Sequence, residues 1–448
     1  MTKIFASAAL LPQGLASDVT IEVEAGRIAR ISAGSTSKGA DEVHDVVMPG
    51  VGNLHSHAFQ RAMAGLAERR GNDADSFWSW RSVMYKFALS MTPEDVEAVA
   101  AQLYVEMLEA GFTRVGEFHY LHHDVSGAPY ANVAEMAERI AAASVGTGIG
   151  LTLLPVFYAH PGFGPKPPSD DQRRFINDLD RFAALMSASR SIVDGIDGGR
   201  LGIAPHSLRA ATIDEVRDVV ALSHDGPIHI HVAEQQAEVD ACLELMGARP
   251  VELLLSAVSV NDRWCLIHAT HMTESELRAV AASGAVVGLC PITEANLGDG
   301  VFRAREYRDA SGAFGVGSDS NIGVSLAGEL RQLEYSQRLV HQARNVLAPP
   351  GGSTGEALLL GAHAGGSRAL GVEAVLAEGM PADLVSLDIG EAAYLRGDAV
   401  LDAFVFGRGV AVKDVWVAGR KLVAGGRHHS RTQIRARFAK TMTRLLQA

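Results

Sequence analysis

Two histidines flank one serine in the stretch GVGNLHSHAFQRAMAG, residues 50–65. In an extended strand, residues two apart point to the same side, so His55 and His57 would aim both imidazoles at one point. Neutral imidazole suits zinc and similar ions. An isolated H-x-H is equally compatible with two solvated loop histidines, so the reading depends on what else the chain supplies. PIHIHVAE supplies His231 and, three residues on, Glu234; WCLIHATH supplies His268; FGVGSDS supplies Asp319. Each of these stretches is a short apolar run that ends in the reactive residue. Three imidazoles and one carboxylate (His55, His57, His231 and Asp319) would hold one divalent metal and leave room for a water. The metal would bring that water's pKa toward neutrality. Asp319 could take its proton, Glu234 could carry a proton to a leaving nitrogen, and His268 could polarise the attacked bond.

Such residues are far apart in sequence and need a scaffold that gathers them. From residue 50 to about 365, short apolar runs alternate with helical patterns. TPEDVEAVAAQLYVEMLEAG is a strong helix, with Thr92 as its cap and Gly111 as its stop. Eight runs read as strands: VVMPGVGNLHSH, FTRVGEF, IGLTLLPV, RLGIAPH, PIHIHV, WCLIHAT, AVVGLC and FGVGSDS. Strand–helix alternation implies a parallel sheet, and eight units predict an α/β fold, a (β/α)8 TIM-like barrel, over residues 49–367. In such a barrel the reactive groups sit at the C-terminal ends of the strands, where the four ligands would converge. Residues 1–48 carry short strand patterns, VTIEVEAG, RIARISAG and DEVHDVVMPG. Residues 368–448 carry MPADLVSLDI, AVLDAFVFG and VKDVWVAGRKLVAGGRH, also read as strands, and a terminal helix. The two ends would together form one small β-sandwich.

Composition narrows the class. The chain has 448 residues, of which 47% are hydrophobic and 21% charged, an ordinary globular balance. A net charge of −12 argues against nucleic acid as a partner. Cys242, Cys265 and Cys290 are odd in number and widely spaced, which points to a reducing compartment and excludes a C-x-x-C metal site. No apolar run reaches membrane-spanning length. Residues 1–16 have a superficial signal-peptide look, but Pro12 interrupts the apolar run, so they read as part of the fold and the protein as cytoplasmic.

PGVGNLHSH, HVAE, a strand ending in His and GSDSN resemble the amidohydrolase superfamily, in its mononuclear deaminase branch, over nearly the whole chain. That branch includes guanine and cytosine deaminases and chlorohydrolases. The binuclear branch uses a carboxylated lysine on the fourth strand; here RLGIAPHS offers His206 and no lysine, so a single metal is expected. The resemblance implies zinc, with iron(II) or manganese(II) fitting the same ligands. Within the superfamily, HSHAFQRAMAG, DSFWSWR, GEFHYLHHD, APHSLRA and LCPITEANLGDG are most similar to the formimidoylglutamate deiminases. The resemblance implies hydrolysis of N-formimidoyl-L-glutamate to N-formyl-L-glutamate and ammonia, with Gln60, Arg81, Tyr120, His206 and Arg209 holding the substrate. Gln60 and Arg81 follow strand 1, Tyr120 is assigned to strand 3, and His206 and Arg209 follow strand 4. Two arginines at one mouth suit a small-molecule dicarboxylate, because guanidinium pairs with carboxylate in a bidentate fashion. A homodimer would fit the family. The competing readings are an aromatic-ring deaminase or chlorohydrolase on the same scaffold, and a barrel that binds without catalysing.

The remaining candidates are weighed one by one. His229 reads as a buried structural residue. Of His119, His122 and His123, only His119 lies near a strand end, and the other two read as solvated loop residues. His271 lies past strand 6. His428 and His429 read as surface residues. Trp78 and Trp80 either wall the pocket or pack beneath a loop. Asn296 either lines the mouth or makes a turn. For Arg209 the bland alternative is an ion pair with Asp214 or Glu215.

Overall fold

The computed structural model describes residues 1–69 and 77–447, without the side chains of residues 77–79. Four strands come first: β1 (Thr2–Leu11), β2 (Gly14–Glu24), β3 (Arg27–Ser32) and β4 (Glu42–Pro49). The barrel strands follow as β5 (Val51–Ser56), β6 (Phe112–His119), β7 (Gly150–Phe157), the short pieces β8 (Arg200–Leu201) and β9 (Ala204–Pro205), β10 (Ile228–Val232), β11 (Trp264–His268), β12 (Val286–Leu289) and β13 (Ala313–Val316). Four more close the chain: β14 (Leu384–Asp388), β15 (Ala411–Val417), β16 (Arg420–Ala424) and β17 (Arg427–His428).

The barrel strands pair in parallel, β5 to β6 to β7 to β8 and β9, and β10 to β11 to β12 to β13. Isolated bridges close the two remaining seams, Ile203 with Ile228 and Ser207 with His231 at one, and Ser56 with Asp319 at the other. The (β/α)8 barrel expected from the alternating pattern is therefore present. Its fourth strand is broken, because the chain pairs in two short pieces on either side of Gly202–Ile203. The run VVMPGVGNLHSH is two strands, not one: β4 belongs to the terminal sheet and β5 to the barrel, and the chain crosses between them at Gly50.

Helix starts follow the sequence signals. Thr92, Thr212 and Thr273 each cap a helix whose third residue, Asp95, Glu215 or Glu276, bonds back to the cap. The helix Pro93–Glu109 starts and stops where Thr92 and Gly111 predict.

Strands β1–β4 and β14–β17 form one eight-stranded sheet in the order β17-β16-β15-β14-β4-β1-β2-β3. Ile4, Ile21, Ile28, Val47, Leu384 and Trp416 share one core, so the two halves of this sheet pack on each other as a sandwich. One expected strand is absent from it. AVLDAFVFG forms a helix, Ala399–Phe406, whose Asp402 accepts hydrogen bonds from Ser353 Oγ and the Gly355 amide at the start of helix Thr354–Ala369. A short apolar run suits a buried helix as well as a strand, and here packing against that helix decides it. The terminal helix Arg431–Leu445 lies on helix Pro93–Glu109, with Arg437 paired to Glu97 and Arg431 to Glu109. Among the described residues no helix is long and apolar enough to cross a membrane.

Candidate active site

The end of β5 carries His55, and His57 follows it, with ring centroids 4.6 Å apart. His231 on β10 brings its Nε2 to 3.0 Å from His55 Nε2. Asp319 Oδ1 lies 3.5 Å from His55 Nε2 and 3.2 Å from His57 Nε2. All four residues are buried, and their ligand atoms lie within 4.8 Å of one another. His57 Nδ1 donates to the Phe118 carbonyl and His231 Nδ1 to the His206 carbonyl, each at 3.0 Å. A carbonyl only accepts, so both rings carry a proton on Nδ1 and turn Nε2 inward, the orientation a metal requires. Burial holds His55 down at about 3 and His231 well below its ordinary value, so both are neutral. Burial would raise Asp319, but its contacts with His55 and His57 hold it well below the carboxylate range. Inward lone pairs beside an ionised carboxylate fit a divalent cation by charge and by donor type.

The backbone at these strand ends is unusual. Ala233, His268, Ala269, Asp319 and Asn321 all have φ between 45° and 65° without being glycine. Such conformations cost of order 1–3 kcal/mol each and persist only where neighbours enforce them. Asn321 is one enforcer. Its Nδ2 reaches the carbonyls of His57 at 3.0 Å and of Asp319 at 2.9 Å, and its Oδ1 accepts from Ser318 Oγ at 2.6 Å. Asn53 bonds Ser318 through both its side-chain oxygen and nitrogen. The seam is also too close for side chains. A Cβ on Gly317 would sit 2.7 Å from the His55 carbonyl oxygen.

His268 faces three carboxylates. Its Nδ1 is 3.2 Å from Glu294 Oε1, and its Nε2 is 3.8 Å from Glu234 and 3.7 Å from Asp319. Burial alone would lower its pKa; Glu234, Glu294 and Asp319 push it up to about 10. Glu234 also pairs with Arg209 at 3.0 Å, and Glu238 lies 3.7 Å from the same guanidinium. Glu238 further accepts the amides of Ala233 and Glu234, which pins the left-handed turn after β10.

Beside the cluster lies a cavity of about 230 Å³. Its walls include His57, His231, Glu234, His268 and Asp319, together with Gln60, Arg81, Tyr120, His206 and Arg209. Gln60 donates to the Tyr120 hydroxyl at 2.7 Å. Arg81 donates to the Tyr85 and Tyr158 hydroxyls at 2.6 and 3.0 Å. Trp80 lines the cavity. The Trp78 side chain and residues Asp75–Ser76 of DSFWSWR lie outside the described residues.

The structure thus brings together every residue singled out from the sequence as ligand, proton carrier or substrate contact, except that His55 sits behind the wall among the other ligands. Several secondary expectations are corrected. Tyr120 follows β6, the second barrel strand, not the third. His122 and His123 are buried, each with a ring nitrogen bonded to a backbone carbonyl, of Val156 and Ile176. His428 is buried against the Thr147 carbonyl, while His429 is exposed. Arg209 pairs with Glu234 and Glu238, not with Asp214 or Glu215; Asp214 pairs with Arg217 and Glu215 with His160. Asn296 is exposed and donates to Glu68. His229 is buried as expected, 2.7 Å from the Ala369 carbonyl. Sequence reasoning missed Glu294, Asn321, Tyr85, Tyr158 and Gln172. The first two stand inside quoted motifs, PITEANLGDG and GSDSN, but no spacing marks them as partners of ligands.

Known proteins resemble this chain in sequence and fold. Residues 46–422 match the family model described as Amidohydrolase family, and residues 1–45 match the one described as Formimidoylglutamate deiminase HutF, N-terminal domain. The formimidoylglutamate deiminase of Pseudomonas aeruginosa is 48% identical over the whole of both chains. A crystal structure of an amidohydrolase from Brucella melitensis superposes with a TM-score of 0.98 at 57% identity, again over the whole of both chains. An adenosine deaminase from Xanthomonas campestris with bound zinc shares the fold, with a TM-score of 0.82 at 23% identity over 100% of this chain and 99% of its own. The barrel with its His3Asp cluster, the two-ended sandwich and these likenesses place the chain in the amidohydrolase family, among the formimidoylglutamate deiminases.

Proposed function

We infer that the protein hydrolyses the formimidoyl group of N-formimidoyl-L-glutamate, giving N-formyl-L-glutamate and ammonia in histidine degradation. The observation that carries this reading is one cavity lined both by members of a histidine–aspartate cluster and by two arginines, Arg81 and Arg209. A substrate with two carboxylates and one electrophilic carbon matches those groups in kind.

His55, His57, His231 and Asp319 would hold one divalent ion, and zinc suits three nitrogens and one oxygen. Such an ion supplies a water acidic enough to ionise near neutral pH. Asp319, kept ionised, accepts a proton of the attacking water. His268, kept cationic, donates a hydrogen bond toward negative charge developing on the oxygen or nitrogen bound to the attacked carbon. Glu234 relays the other proton of the attacking water to the terminal nitrogen, Asp319 returns the one it took, and that nitrogen leaves as ammonia. Delivery to the inner nitrogen would release formamide and glutamate instead. Gln60, Tyr120, His206 and the two arginines hold the glutamate part in register with these groups. The free, buried cysteines suit the reducing interior of a cell.

Trp80, Tyr120, Phe163 and Phe175 also line the cavity and favour a second reading, in which an aminated or chlorinated ring is the substrate. Ammonia release by the zinc-loaded protein separates the two. N-Formimidoyl-L-glutamate should react fast, with formylglutamate as co-product. Turnover of aminopurines or aminopyrimidines alone would discard the dicarboxylate and keep the hydrolase.

A further inference from the structure

Tyr158 follows β7 and is buried, and its hydroxyl meets two side chains. Arg81 Nη2 approaches at 3.0 Å and Gln172 Nε2 at 2.9 Å. A guanidinium can only donate. The Gln172 amide has no freedom to turn round, because its Oε1 accepts the Ser169 backbone N–H at 3.0 Å. Its Nε2 must therefore face Tyr158 and donate. Both lone pairs of the Tyr158 oxygen are thus occupied by incoming donors, and its own proton has no acceptor among the described residues. Tyr158 and Arg81 both line the cavity, and the hydroxyl lies against the Arg81 guanidinium. Burial pushes the neighbouring Tyr85 phenol, which also accepts from Arg81, up and keeps it protonated.

We propose that Tyr158 is a specificity-determining residue that donates its O–H to the substrate carboxylate met by Arg81, with Gln172 as the positioning residue that forces the hydroxyl to donate. A wall of donors accepts an ionised carboxylate and rejects the matching carboxamide, whose NH2 would meet it donor to donor. The assignment rests on the dicarboxylate reading above.

The test compares N-formimidoyl-L-glutamate with its two monoamides on the zinc-loaded protein. For Tyr158→Phe, KM for the dicarboxylate should rise about ten- to a hundredfold, the scale of one lost bond to a charged group, with kcat changed far less. Discrimination against one of the two monoamides, and only that one, should narrow by a similar factor. Gln172→Glu keeps the shape but offers Tyr158 an acceptor, so it should raise KM as Tyr158→Phe does, whereas a merely structural role for Gln172 would leave the monoamide ratio unmoved. Calorimetric binding of glutarate gives a second readout: weaker binding by both variants is expected. Unchanged discrimination together with unchanged glutarate affinity in folded variants overturns the assignment. Wild-type protein that binds glutarate through Tyr158 without turning over the formimidoyl compound would instead overturn the reaction and keep the receptor.

Discussion

The two sets of residues around the cavity, one meant for metal chemistry and one for recognition, are held by different means. On the metal side, the groups hang from strand ends, and the backbone itself is bent into left-handed conformations to aim them. Main-chain carbonyls of Phe118 and His206 fix the rings. On the recognition side, the groups come from loops, short 3-10 turns (Ala58–Met63 and Asp170–Gln172) and helix Phe77–Ala88, with ordinary backbone, and side chains orient one another, as in the Gln60–Tyr120 and Arg81–Tyr158–Gln172 contacts. On the proposed function, chemistry common to many substrates would be held by the scaffold, and the choice of substrate by replaceable side chains.

If this division is right, changes on the metal side should abolish turnover and changes on the recognition side should redirect or weaken it. Asp319→Asn should cost on the order of 10⁴-fold in kcat, as loss of one member of a catalytic unit does, and lower the metal content measured per chain. Activity within tenfold of wild type would place the chemistry elsewhere. Arg81→Met should lower kcat/KM for the dicarboxylate by about a hundredfold or more while metal content holds. Loss of metal in that variant would mean the two sides are not separable. Asn321→Ala tests the seam between β5 and β13. It is not among the residues that line the cavity, yet zinc affinity should fall about 10–100-fold, as when a ligand's supporting partner is removed; an unchanged zinc titration would assign the strained backbone to other supports.

The smallest effect lies outside the cavity. Burial lowers the pKa of His122 and His428, which are neutral in the fold. The unfolded chain therefore takes up protons first as pH drops below about 6.5. Stability from these rings is present above that pH and is lost as it falls toward their folded values, at no more than about 1.4 kcal/mol per pH unit per ring. Tm followed from pH 7.5 to 5.5 should fall, and less steeply in His122→Gln; identical slopes would assign the acid limb to other groups.

This contrast also explains what the sequence disclosed. His55, His57, His231, His268 and Asp319 could be found because a barrel strand has one mouth end, so position along the strand implies position in the site. Tyr158 and Gln172 could not. They sit within a loop that runs from β7 to helix Leu179–Asp194, and their meeting depends on a turn at Ser169 that no periodicity announces. His122 and His123 were misread as solvated for the same reason. The loop folds over them, and Arg174, itself fully buried, bonds the His123 carbonyl from above. The helix Ala399–Phe406 was hidden differently, since its apolar residues carry no period that separates helix from strand.

The pairing of β4 with β14 bears on how the chain is made. Strand β4 pairs with β1 on one side and, antiparallel, with β14 on the other, so Pro49 meets Leu384. During synthesis the inner edge of β4 waits for a partner encoded roughly 335 residues later, about half a minute of translation at ordinary rates. For that interval a nascent chain carries an open strand edge, the kind of surface that recruits other chains and chaperones. Expression yield should therefore depend on elongation speed and on holdase supply more than the stability of the finished barrel would suggest.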